Sequence, residues 1–157
     1  MSPDIDDDLQ DPQTRAMLHV LAGLLVCPDE SLSQQALGWL LTGAIPAVRR
    51  SAAAELVELL RDGDAGVCWR ATAALAAVGP AAVIALVSSL LLGGAPAGQV
   101  RLAEALRALA PAVPPHRRGQ VLALLGVVEG RESSKAVRAA VARARNAIRR
   151  HAAMSGG

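Results

Sequence analysis

The chain has 157 residues and a formal net charge of +2, enough for about one domain that buries roughly two-thirds of its unfolded surface without a metal or disulfide staple. It contains no Phe, no Tyr and two Trp, so its core must be Leu, Val and Ala; this palette excludes a sheet built on aromatic residues and predicts an all-α fold. Cys27 and Cys68 have no metal-ligand spacing and are too few for a disulfide framework, so they read as reduced, buried thiols of a cytoplasmic protein, and the acidic opening MSPDIDDDLQD carries no export signal.

Residues 1–10 form an acidic tail, read as disordered, and the helical domain spans 11–153. Asp11-Pro12 places a cap before a proline at the first helical position and opens a helix to about Val26. Pro28-Asp29-Glu30-Ser31 ends it and starts a second, through Trp39 to about Thr42. Pro46 opens a third that reaches Leu60, and RDGDAG is a turn from which a fourth leaves for Val78. Gly79-Pro80 breaks the chain before a fifth helix, AAVIALVSSLLL, and GGAPAG is the next turn. A sixth runs from about Gly98 to Ala110. PAVPP intervenes, a seventh reaches about Val128, Glu129-Gly130 forms a link, and the last helix runs from about Ser134 to Ala153, leaving 154–157 as a flexible C-terminus. Eight short helices on short turns predict antiparallel neighbours in four pairs.

Thirty residues between Arg70 and Arg101 carry no formal charge. Their longest unbroken helix is AAVIALVSSLLL, about 18 Å long against a hydrocarbon core of about 30 Å. It is too short to cross a bilayer, so stable membrane insertion is not expected, and the uncharged fifth helix is read instead as buried among its neighbours or as a surface for self-association.

An internal repeat supplies those neighbours. VCWRATAALAAVGP from Val67 aligns without gaps on GQVRLAEALRALAP from Gly98, with Arg70/Arg101, Ala74/Ala105, Leu75/Leu106, Val78/Leu109 and Pro80/Pro111 in register at a period of 31. One face of each helix is apolar: Val67, Ala71, Ala74, Leu75 and Val78 in the first copy, and Gly98, Leu102, Ala105, Leu106 and Leu109 in the second. The last helix follows through Val137, Val141, Ala144 and Ile148, and the third through Val48, Ala52 and Leu56.

The string LLRDGDAGVCWRATAALAAVGPAAVIAL resembles a HEAT-like repeat of the short bacterial type, whose second helix reads roughly Val-Arg-x-x-Ala-x-x-Ala-Leu before a Gly or Pro; it is similar to the repeats of the phycobilin lyase group. The likeness is best over 46–111. Cys68 stands where the family has Arg, whereas Glu132 and Val137-Arg138 keep the acid and the base. The resemblance implies an α-α superhelix, a solenoid of helix pairs with a concave inner face. It implies little about function, since one fold hosts many tasks.

A search for chemistry finds no catalytic residue, no metal ligand set and no cofactor-binding signature. His19, His116 and His151 are dispersed, no glycine-rich phosphate loop is present, and no nucleophile stands beside a base. The His-Glu pairs by which HEAT-like hydroxylases hold iron are absent, and nothing marks a chromophore pocket, so neither activity is carried over. The expectation is a protein that is not an enzyme, with a lyase-like or membrane-associated accessory role as a remote alternative.

Charge is sorted along the chain, with five Asp in the first eleven residues and a basic C-terminal segment. All cations except Lys135 are Arg. Arg131, Lys135, Arg138, Arg145 and Arg149 fall close to one stripe associated with the last helix, which could follow phosphates, so nucleic acid is the alternative partner. No aromatic residue interrupts the stripe for base stacking. The first expectation is therefore a protein partner on the concave face. With Val67, Ala71, Ala74 and Val78 inward, Trp69, Ala73 and Ala76 point away, and the equivalent positions are Val100, Glu104 and Arg107, with Arg143 in the last helix. Trp and Arg are the usual anchors of interfaces. Trp69 has two readings, an anchor or a filler between helices; Trp39 is read as core.

Overall fold

The computed structural model describes residues 12–42 and 46–155, all of them in helices or the short links between them. The helices are α1 (Pro12–Leu25), α2 (Glu30–Thr42), α3 (Pro46–Asp62), α4 (Ala65–Val78), α5 (Pro80–Leu92), α6 (Pro96–Ala108), α7 (Arg118–Arg131) and α8 (Lys135–Ser155). Two 3-10 turns, Ala110–Ala112 and Pro115–Arg117, join α6 to α7. The fold is all-α. The acidic tail lies outside the described residues, as do Gly156 and Gly157; Met154, expected in a flexible end, belongs to α8.

Local chemistry sets these starts and stops. Asp29 Oδ1 accepts from the amides of Ser31 and Leu32 at 3.0 and 3.3 Å and caps α2. Asp64 Oδ1 accepts from Val67 N at 2.8 Å and caps α4, satisfying a donor the first turn leaves open. Gly79, at φ +88°, ends α4 and begins α5 in one residue; a side chain there would be strained.

Several boundaries differ from expectation, three of them for a local reason. Helix α3 continues through Arg61 and Asp62, because nothing before Gly63 stops it. Helix α6 ends at Ala108, since Pro111 disfavours helical backbone in the residue before it and the chain tightens into a 3-10 turn. Helix α7 runs on through Glu129 and Gly130 to Arg131. One helical glycine costs only about 1 kcal/mol, and the side chains of Glu129 and Arg131 are both engaged by other helices.

A single apolar core runs from Leu25 to Ile148. The repeat face is its spine: Ala71, Ala74 and Leu75 on α4, Leu102, Ala105 and Leu106 on α6, and Val137, Val141, Ala144 and Ile148 on α8 are buried. Helix pairs with substantial contact lie no more than three places apart in chain order, with α3 packed on α1, α4, α5 and α6, and α6 on α3, α5 and α8. Helix α5 buries Ala82, Val83, Leu86, Val87 and Leu90 and leaves Ile84 and Leu92 exposed. Among the described residues no helix is long and apolar enough to cross a membrane.

Two core assignments need correction. Trp39 is 50% exposed because it sits on the outer side of α2, where no further helix covers it; Ala36 and Leu40 take the inner side. Cys27 and Cys68 are half-buried free thiols, one in the α1–α2 link and the other at the first turn of α4, where its S–H reaches the carbonyls of Leu60 and Gly63 at 3.5 and 3.4 Å.

Candidate functional site

The face opposite the repeat core is organised around Trp69. The Asp64 cap fixes where α4 begins, and with Ala71, Ala74 and Leu75 turned inward the indole is forced outward, 75% exposed. It does not fill space between helices. Trp69 and Ala73 line both of two grooves and so form the ridge that separates them. The first groove, about 450 Å³ between α2 and α4, is walled by Cys27, Gln34, Leu37 and Arg70. The second, about 730 Å³ between α4 and α6, is walled by Cys68, Thr72, Arg101, Glu104 and Ala108.

Beyond the second groove Glu104 on α6 meets Arg143 on α8 at 3.8 Å. Both are about half exposed, so the pair contributes little to stability, but it continues the face onto α8. Trp69, Glu104 and Arg143 thus share one surface running α4–α6–α8. Arg107 stands exposed one turn after Glu104, whereas Val100 is half-buried and packs against the core. Arg70 and Arg101 were visible in the repeat frame as equivalent positions without a role. The structure gives each one groove, and Arg101 also donates to the Arg61 carbonyl at the end of α3.

The basic stripe is divided. Arg131 closes α7, and its guanidinium donates to the carbonyls of Leu90, at 3.1 Å, and Leu91 on α5. Arg145 is paired with Glu129 on α7, both partly buried. Arg138 reaches the Glu132 carbonyl at 3.3 Å from an exposed position, and Lys135 and Arg149 are exposed.

The histidines stay apart. His19 approaches Glu55 on α3 at 3.6 Å, His116 sits in the second 3-10 turn and His151 near the end of α8. Among the described residues no three His, Cys, Asp or Glu side chains are grouped to hold a metal ion. No family model, curated protein or solved structure matches this chain.

Proposed function

We propose that this chain is a short HEAT-like solenoid working in the cytoplasm as a non-catalytic adaptor or scaffold, which binds a protein partner along the concave face bearing Trp69, Glu104, Arg107 and Arg143. The observation that carries the reading is the exposed indole of Trp69 on the ridge between two grooves. An aromatic anchor beside partly apolar pockets with a charged rim is the arrangement on which interfaces concentrate their energy. The nearest-neighbour packing of the helices supports the solenoid, in which each pair buries its face on the next.

The test is affinity capture of the tagged chain from its host's lysate, with and without nuclease, beside a Trp69→Ala/Arg107→Glu variant. A protein retained after nuclease and lost in the variant supports the reading. Capture that vanishes with nuclease rejects it in favour of nucleic acid on Lys135, Arg138 and Arg149, whose affinity would fall steeply with added salt. Equal capture by both forms removes the Trp69 face from consideration.

A further inference from the structure

The N-terminal end of the helix array presents a second apolar surface, separate from the Trp69 face. Helix α1 turns Leu18, Ala22 and Leu25 into the core, yet its outer side is also apolar. Met17 is 65% exposed and Val20 61%, with Ala16 and Leu24 on the same stripe. Trp39 of α2 and Val48 of α3 close this stripe into a cleft of about 550 Å³, in which Gln13 and Thr14 are the only polar lining residues among those described. Leu32, exposed and two turns before Trp39, extends the surface along α2. The exposed side chains form a patch on the order of 500 Å², near the top of the range for the largest apolar patches on single proteins.

Charge selects the occupant. Among the described residues no ionisable side chain lines the cleft, so it offers no cation to attract a segment as acidic as 1–11, with five Asp. The opposite end of the array exposes Lys135, Arg138, Arg149 and Arg150, so head-to-tail contact would press hydrated cations onto hydrocarbon. An uncharged apolar surface is complementary to itself. We infer that the α1–α2 end is an isologous dimer interface, in which the Met17–Val20–Trp39 surface of one copy packs on that of a second. A standard interface takes about 800 Å² from each partner, which the patch with its rim of Gln13, Thr14 and Gln35 approaches. The dimer would leave both Trp69 faces open.

The experiment is sedimentation velocity with light scattering on the full chain from nanomolar to high micromolar concentration, for wild type, Met17→Glu/Val20→Glu and Trp69→Ala. Both substituted positions face water in the single copy, so helicity should be retained. The expected result is a wild-type dimer, a dissociation constant weakened about tenfold or more by the glutamates, and no change with Trp69→Ala. Wild-type chain that stays monomeric throughout overturns the inference, and so does a dimer that survives both glutamates. If deletion of residues 1–11 converts a monomer into a dimer, the tail is the occupant; if vesicles of neutral lipid bind the chain through this patch, the membrane is, and either result overturns it. Should the glutamate variant fail to fold, Trp69→Phe leaves Trp39 as the only indole. Its emission should shift to the blue as concentration rises, and a spectrum independent of concentration overturns the inference.

Discussion

Gln99 is a buried polar side chain whose hydrogen bonding is incomplete. It is 1% exposed, its Nε2 donates to the Leu90 carbonyl at 3.1 Å, and its Oε1 has no partner. A buried carbonyl oxygen without a donor costs about 1–3 kcal/mol, much of what its other hydrogen bond returns. Leu90 O is also reached by Arg131 at 3.1 Å, so it keeps a donor if Gln99 is lost. Gln99→Met, which conserves the unbranched shape, should therefore leave stability unchanged or raise it by up to about 1 kcal/mol in urea unfolding. Trp69 is the opposite case, a large side chain with little packing to lose. Trp69→Ala should change stability by less than about 0.5 kcal/mol and melting by about 2 °C or less, while weakening partner binding by about 2 kcal/mol, near thirtyfold. Titration calorimetry with the captured partner, beside a thermal melt, checks both halves.

At the scale of the element, α5 is informative because it has no charges of its own. The carbonyls at its C-terminal end carry partial negative charge, and three other helices meet them. Arg61 on α3 donates to Ser89 O at 2.8 Å, to Ser89 Oγ at 2.7 Å and to Gly93 O at 3.2 Å; Gln99 comes from α6, and Arg131 from α7. Gly94 is shaped by the same contact, since a Cβ there would collide with the Arg61 guanidinium. Arg61→Ala removes the fork, taking the guanidinium donor from Gly93 O while Ser89 O keeps the Gly93 amide at 3.3 Å, at a cost of about 1.5–3 kcal/mol. Arg61→Lys should recover less than half of this, because one ammonium cannot span the same acceptors. Urea unfolding of both variants is the measurement, and full rescue by Lys would show that only the charge matters. For α4, Asp64→Ala should cost about 1 kcal/mol through its lost cap.

For the whole molecule, packing between near neighbours in the chain makes stability local. The interior helices α3 and α6 have partners on several sides, whereas α1 and α2 lack one on their outer side. If the helices form the proposed solenoid, stability approximates a sum of nearest-neighbour terms and the ends open first. Amide hydrogen exchange should show the least protection in α1 and α2 and the most in α3, α5 and α6. Protection in α1 and α2 should also rise with protein concentration if two copies cover that end. Uniform protection across the chain would mean one cooperative unit in place of an array.

The all-α class, the approximate helix boundaries and the core stripe were legible in the sequence because each rests on local periodicity and punctuation. The 31-residue frame located Ala71, Ala74 and Leu75, and Leu102, Ala105 and Leu106, and all are buried. It also turned Trp69 outward, since a helical residue's direction follows from its neighbours. Other features were decided by contacts between distant segments. Trp39 was expected inside because it is large and apolar, but its burial depended on whether another helix would cover α2, and no residue of α2 encodes that. Arg131 and Arg145 were read as part of a phosphate-tracking stripe because cations in sequence reveal their charge and not their acceptors. Those acceptors are the carbonyls of Leu90 and Leu91, 40 or 41 residues away, and the Glu129 carboxylate on α7. Backbone carbonyls have no signature in sequence. Periodicity by itself determined which face of α3, α4, α6 and α8 turns inward, while the pairing of distant helices alone decided which arginines are consumed within the fold and which apolar surface is left in water.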